Sequence, residues 1–446
     1  MKGTIISSFL IIVTFAGSII FYLNRNSAET NKYLVKGIFI DTISSENLRI
    51  RKGYLLIENG LVQGFSEDNP DKTIKLYDYS GKIIIPGLTD LHLHAPQYSF
   101  AGTGMDLELL YWLYKYTFPE ESKYGDLEYA KKNYKVFVYD LLKSATTRAS
   151  IYATIHVNST LLLMDMLEEK KIVAYVGKVS MDRNSPDYYI EENGEEETIR
   201  FIEECMKKNY TYVKPIITPR FTPSCTDDYM EKLGQIARKY NLSVQSHLSE
   251  NLDEIDFVNE LRPNDKFYGE SYDKYGLFGN PQKTIMAHCV HCPNEENDLI
   301  KKNGVYIAHC PTSNTDLTSG ISPAAMYLRQ GYQIGIGSDV AGGHTMDLFE
   351  VMRHAIQVSK LRFISVDDSE VPLTLSEVLY MATNKGGSFF GKVGVFEKDY
   401  EFDALVLDES KINQLRGFNE EERLEKFIYD KNAEIEAKFI KGNKIF

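Results

Sequence analysis

The amino-acid sequence predicts an α/β fold: a TIM-like (β/α)8 barrel, a small β-sandwich built from both chain ends, and an apolar N-terminal helix. Three observations predict it. Through the middle of the chain, brief strand-like runs alternate with helical ones, the pattern of a parallel barrel. At both ends, short apolar runs are punctuated by Gly, Asn and Asp, as in antiparallel sheets. Before them stands a long run without charge. The 446 residues suffice for one large domain and a small one.

Taken in order, residues 1–27 form the apolar segment. Thr4 to Leu23, "TIISSFLIIVTFAGSIIFYL", carries no charged side chain, and a helix of that length spans about 30 Å, the bilayer hydrocarbon. It reads as a candidate single-pass membrane anchor in contact with lipid. A secretory signal and an extension of little consequence are the competing readings. The run is long for a signal core, and "NRNSAET" offers only a weak cleavage site. Lys2 and Arg25 flank it on opposite sides, so positive charge does not orient it. Residues 28–85 hold "YLVKGIFID", "GYLLIENGLVQGF" and "GKIIIPG", a small antiparallel β unit and the first part of the sandwich. Residues 86–390 form the barrel. Its helical stretches "LEYAKKNYKVFVYDLLKSA", "TLLLMDMLEEK", "ETIRFIEECMKKN" and "YMEKLGQIARKYN" alternate with "IVAYVGK", "YVKPIIT", "LSVQSHLSE", "TIMAHCV", "GVYIAHCP" and "YQIGIGSDV". "EENGEEE", Glu191 to Glu197, reads as a solvated loop. Residues 391–446, with "FDALVLDES" and "AEIEAKFIKGNKIF", return to strands and form the second part of the sandwich.

Charge and cysteine content narrow the function. The net charge of −13, from 63 acidic and 50 basic side chains, comes without a basic cluster that could track phosphates, which excludes a nucleic-acid partner. Five cysteines are too few for a disulfide scaffold and point to a reducing compartment. Cys289 and Cys292 form a C-x-x-C, the spacing of a redox pair or half a zinc ribbon, but no second C-x-x-C completes a ribbon.

"DLHLHAPQY", residues 90–98, follows "IIIPG". Residues two apart in a strand share a face, so His92 and His94 can aim both imidazoles at one metal ion. Imidazole suits zinc or iron, and an enzyme leaves one coordination position open for water. His247, His288 and Asp339 close other strand-like runs, at the end where barrels place their catalytic groups. Five nitrogen and oxygen donors then converge. Glu250, three residues after His247, stands where a carboxylate can shuttle protons to and from metal-bound water.

The blocks "DLHLHAPQYSFAGTGMDLELLYWLYKYTFPEE", "TPRFTPSC", "SHLSENLDE", "AHCPTSN" and "SDVAGG" carry a resemblance. The chain resembles the amidohydrolase superfamily, metal-dependent hydrolases, and within it the branch that deaminates guanine. "HAPQY" together with "TPRF" is more selective than the H-x-H. The resemblance implies one Zn(2+) per subunit among His92, His94, His247 and Asp339, with His288 a further ligand or the group that orients the water. It implies that Gln97 and Arg220 hold the purine's polar edge, that Phe221 forms a wall, and that His94, His247, Glu250 and Asp339 also face the substrate. Glu250, Asp339 and His288 would be catalytic, converting guanine and water to xanthine and ammonia. It further implies a homodimer and a cytoplasmic enzyme.

Two other readings stand beside this one. The same metal chemistry could act on another aminated heterocycle or cyclic amide, such as an oxidised guanine, a pterin or a triazine. A membrane-tethered barrel without catalysis is the second. The unrelated zinc deaminase signature, H-x-E followed by P-C-x-x-C, is absent, since this chain has H-x-x-E at His247 to Glu250 and C-x-x-C-P at Cys289 to Pro293. His156, His291, His309, His344 and His354 read as structural, Cys310 as a small buried apolar side chain, and the aromatics of "YWLYKYTF" as core packing. Gly342 and Gly343 read as a tight backbone passage near the metal.

Overall fold

The computed structural model describes residues 31–413 and 415–446, so the run Thr4 to Leu23 and its anchor reading lie outside the described residues. Among the described residues, no helix is long and apolar enough to cross a membrane.

Four strands come first: β1 (Lys32–Asp41), β2 (Arg49–Glu58), β3 (Leu61–Ser66) and β4 (Lys75–Pro86). Asn59 and Gly60 join β2 to β3 with φ of 53° and 81°, the left-handed pair that an Asn-Gly hairpin turn requires. The middle of the chain supplies β5 (Leu88–His94), β6 (Thr146–Tyr152), β7 (Val173–Gly177), β8 (Val179–Ser180), β9 (Val213–Pro215), β10 (Thr218–Pro219), β11 (Val244–Leu248), β12 (Thr284–His288), β13 (Tyr306–His309) and β14 (Gln333–Ile336). The last strands are β15 (Ala404–Asp408), β16 (Glu434–Ile440) and β17 (Asn443–Lys444).

Both chain ends do pair, in one seven-stranded sheet of order β17-β16-β15-β4-β1-β2-β3. It is mixed and not wholly antiparallel, because β4 returns across the hairpin to lie parallel to β1, with Tyr33 opposite Lys75. Ala404 then pairs antiparallel with Pro86 and Leu405 with Ile85. One side of the sheet encloses its own aromatic core of Tyr33, Phe39, Phe396, Phe402 and Phe439. Ile38, Ile40, Ile83, Ile85, Leu405 and Leu407 instead join the main core. Lys438 of β16 donates to the carbonyls of Leu141, Leu142, Ser144 and Thr146 at 3.2, 3.0, 3.0 and 2.6 Å. It thereby satisfies the carboxyl end of the helix Leu127–Lys143 and its exit.

The middle strands form two four-stranded parallel sheets, β5-β6-β7-β9 and β11-β12-β13-β14. Ile217, two residues past β9, bridges in parallel to Val244 of β11. At the opposite seam the Asp339 amide donates to the His92 carbonyl (2.7 Å) and the His94 amide to the Val340 carbonyl (2.9 Å). Helices Leu127–Lys143, Val157–Glu169, Gly194–Lys208 and Asp227–Tyr240 separate the strands. Asp126 and Thr226 cap two of them by accepting from first-turn amides.

Two expectations change here. β6 was not apparent from the sequence because Thr146, Thr147, Arg148 and Ser150 are polar, yet all are buried. Arg148 is matched by Asp403 (2.7 Å) and Glu401 (2.6 Å), and Ser150 by Gln245 (2.6 Å). Glu195 to Glu197 open the helix Gly194–Lys208 rather than a solvated loop, since carboxylates at a helix amino end are favoured by its dipole, and Glu191 is buried against Lys178. All five cysteines are free.

Candidate active site

His92 and His94 project from one face of β5 with their Nε2 atoms 3.3 Å apart. Asp339 brings Oδ1 to 3.0 Å from the first and 3.2 Å from the second. The His247 ring lies edge to face with His92 at 4.8 Å and stacks on His94 at 5.4 Å and on His288 at 5.5 Å. All five expected donors therefore meet. β5 ends at His94, β11 one residue past His247 and β12 at His288, so the carboxyl ends of the strands supply the cluster.

Neighbouring groups hold each donor. His247 Nδ1 lies 2.6 Å from the Arg220 carbonyl and His288 Nδ1 2.9 Å from Asn314 Oδ1. A carbonyl only accepts, so both Nδ1 atoms carry the proton and the Nε2 lone pairs face inward. Asp90, buried below the cluster, accepts from the amides of His92 (3.2 Å) and Ser338 (3.0 Å) and from Ser338 Oγ (2.6 Å), tying β5 to the segment that bears Asp339. His288 and Asp339 adopt left-handed backbone, φ 76° and 48°, a strain of the kind that persists at functional sites. Gly337 permits the close approach of β5: a Cβ there would lie 2.8 Å from Cys310 Sγ and 3.0 Å from His92 Cβ.

The donor set fits a divalent metal. Burial lowers the pKa of His92, pushes His247 well below its ordinary value and brings His288 down to about 4, so these rings are neutral near neutral pH. Burial alone would raise Asp339, but His92 and His94 hold it well below the usual carboxylate range. Buried neutral imidazoles and an ionised carboxylate crowded together, with ligand atoms within 4.8 Å in the sets His92, His94, His247 and His92, His288, Asp339, are the chemistry of a zinc or iron site. His288, with Nδ1 committed to Asn314, turns Nε2 toward the cluster, 3.2 Å from Glu250 Oε2 and 3.8 Å from Asp339 Oδ2.

Above the cluster lies a narrow cavity of about 30 Å³. His94, Gln97, Arg220, Phe221, His247, Glu250 and Asp339 line it. Leu109, Trp112, Leu113 and Leu317 complete the apolar wall. Trp112, read from sequence as core, and Leu113 reach the cavity where the helix Leu109–Trp112 passes into the π-helical turn Leu113–Thr117. Glu250 sits with Oε2 3.2 Å from His288 Nε2 and accepts from Ser319 Oγ at 3.2 Å. Burial, then the carboxylates of Glu254 and Asp339, raise it well above its ordinary value, which favours the protonated form.

Glu121 is the residue that the sequence reading missed. Nothing local in "TFPEE" marks it, because its partners are remote: Gln97 Nε2 donates to Oε1 (2.8 Å), Arg220 donates to both oxygens (2.7 and 3.2 Å), and Tyr189 donates to Oε2 (2.8 Å). Burial would raise its pKa, yet Arg220 and Gln97 hold it below the ordinary value. Arg220 also lies over the Phe118 ring at 5.1 Å.

The other histidines stay out of the cavity wall. His291 pairs with the Ser319 carbonyl (2.6 Å), His344 with Asp316 (2.6 Å) and His354 with Thr315 (2.8 Å). His156 precedes the helix Val157–Glu169, and burial brings His309 down to about 3. Cys310 is buried, as expected. Gly342 keeps the Asp339 carboxylate close, since a Cβ there would lie 2.9 Å from Oδ2.

A model of the Amidohydrolase family matches residues 83–445. The chain is similar to guanine deaminase of Dictyostelium discoideum, 36% identical over 98% of each chain. It is also similar to guanine deaminase of Homo sapiens, 42% identical over 82% of this chain and 83% of that one. Among solved structures it resembles guanine deaminase from C. acetobutylicum with bound guanine in the active site, with a TM-score of 0.90 and 48% identity, covering 93% of this chain and 100% of that one.

Proposed function

The chain belongs to the amidohydrolase family, and from that premise we propose that it is an enzyme that hydrolyses guanine to xanthine and ammonia. One observation carries the reading: a single cavity is lined both by Gln97, Arg220 and Phe221, suited to a flat polar heterocycle, and by His94, His247, Asp339 and Glu250, suited to hydrolysis. We read the two parallel sheets, joined at both seams, as one closed (β/α)8 barrel with the site at its carboxyl end.

His92, His94, His247 and Asp339 would hold one zinc ion per subunit, with His288 a further ligand or the group that orients the attacking water. When bound, such a metal lowers the pKa of its water toward neutrality and so supplies a nucleophile at physiological pH. The protein's own groups do the rest. Glu250, protonated, donates to N3 of guanine, which makes C2 more electrophilic and disperses charge in the tetrahedral intermediate. Asp339 takes a proton from the attacking water, and His288 holds that water through Nε2. Glu250, deprotonated by its transfer to N3, takes the C2 hydroxyl proton and passes it to the departing amine as the C2–N bond breaks, and the proton held by Asp339 then restores Glu250. Of the two protons of water, one thus replaces that given to N3 of xanthine and the other leaves on ammonia. Phe221, Trp112 and Leu113 exclude bulk water around the ring.

Purified protein with and without a chelator, assayed for guanine loss and xanthine appearance with adenine as control, tests the reading. Chelator-sensitive xanthine formation from guanine is expected. Activity unaffected by complete metal removal, or no ammonia release from guanine by metal-loaded protein, refutes it.

A further inference from the structure

Glu121 stands behind the cavity wall rather than in it, and it carries an inference that rests on the purine reading above. The carboxylate is fully buried, and each oxygen accepts two hydrogen bonds: Oε1 from Gln97 and Arg220, Oε2 from Arg220 and Tyr189. Its capacity as an acceptor is filled by protein donors.

An ionised carboxylate accepts and never donates, so the Gln97 amide turns its nitrogen toward Glu121 and leaves Oε1 for the cavity. The Arg220 guanidinium is held by two N–H groups, one on each carboxylate oxygen, and keeps further N–H donors for the cavity that it lines. Because both residues bond the same Glu121 oxygen, at 2.8 and 3.2 Å, the wall presents a donor and an acceptor side by side. The six-membered ring of guanine offers the complement, the C6 carbonyl beside N1–H. Adenine offers the reverse, an amine beside a bare N1.

We propose that Glu121 is the positioning residue for purine specificity: it sets the amide of Gln97 and the fork of Arg220 in the one arrangement that accepts guanine and rejects adenine. Glu121→Gln keeps the shape but must turn its amide nitrogen toward Arg220 and either Gln97 or Tyr189, and it loosens the hold on the Gln97 amide. The experiment measures KM and kcat for guanine, the inhibition constant of adenine against guanine turnover, and metal content, in wild type and variant. A rise in guanine KM of about ten- to a hundredfold is expected, with a smaller change in kcat, a narrowed guanine-to-adenine ratio and unchanged metal content. A merely structural loss would not narrow that ratio.

A folded, metal-loaded Glu121→Gln enzyme whose KM and ratio stay within about twofold of wild type overturns the proposal. Glu121→Asp keeps the charge that Arg220 needs and serves if the amide variant fails to fold. One methylene short, it cannot reach both Gln97 and Arg220, so its ratio should also narrow, and an unaltered ratio overturns the proposal equally. Equilibrium binding of guanine against adenine separates this claim from the reaction. A wild type that prefers guanine but releases no ammonia sinks the deamination reading, while the binding ratio of the variants still decides the role of Glu121.

Discussion

Replacing Arg220 by Met probes the buried ion pair from its other side. The guanidinium meets Glu121 at 2.7 and 3.2 Å, and the side chains are 3% and 0% exposed, so the pair is shielded from bulk solvent. At an effective dielectric of about 20, opposite charges about 4 Å apart attract by about 4 kcal/mol, and deleting one partner of a buried pair costs about 3–5 kcal/mol. The effect carries a pH signature. In the wild type Arg220 holds Glu121 below its ordinary value despite burial. That contribution is present above the unfolded carboxyl pKa and is lost as pH falls through the depressed folded value. In the variant burial loses its strongest opponent and only the hydrogen bonds from Gln97 and Tyr189 still favour the ionised form, so the folded pKa moves above the unfolded one. Stability is then fully present below the unfolded pKa and is lost as pH rises through the raised value. The stability gap between the two proteins should therefore widen from about pH 5 to about pH 8. Urea unfolding midpoints of both proteins at the two pH values, under equal metal excess, measure it. Guanine turnover should fall while metal content stays near normal. Equal midpoints, or a gap that narrows as pH rises, would refute the reasoning.

Glu250→Gln should keep metal and guanine binding but lose about 10²–10⁴-fold in rate; steady-state kinetics beside elemental analysis decide it, and near-normal turnover removes the proton carrier. Gly337→Ala would place a Cβ 2.8 Å from Cys310 Sγ and 3.0 Å from His92 Cβ, displacing His92 at a cost of about 1–3 kcal/mol. Metal retained after dialysis should fall about tenfold or more, and retention equal to wild type would show that the strand yields without moving the ligand.

The donor cluster was legible because strand periodicity is local: His92 and His94 share a face by spacing alone, and His247, His288 and Asp339 each close an apolar run. The role of Glu121 was not, since its arginine lies 99 residues away and only folding brings the pair together. β6 hid behind Thr146, Thr147, Arg148 and Ser150, whose polarity reads as surface until Asp403, Glu401 and Gln245 arrive from distant segments. The left-handed backbone at His288 and Asp339 leaves no mark in residues that are not glycine. The pairing of the two chain ends was visible as matching texture. The parallel placement of β4 beside β1 was not, because it depends on which way the chain returns.

The seam between β4 and β15 has a bearing on biosynthesis. Every group proposed to touch metal or substrate precedes Gly343 in the chain, but the edge of β4 is covered only by Ala404, Leu405 and Val406. The carbonyls at the exit of the helix Leu127–Lys143 wait for Lys438. During translation the residues for chemistry thus leave the ribosome before the strands that close the scaffold beside them. A nascent chain stopped just after the last donor presents a bare apolar strand edge to its neighbours, and full-length release is the step that shields it.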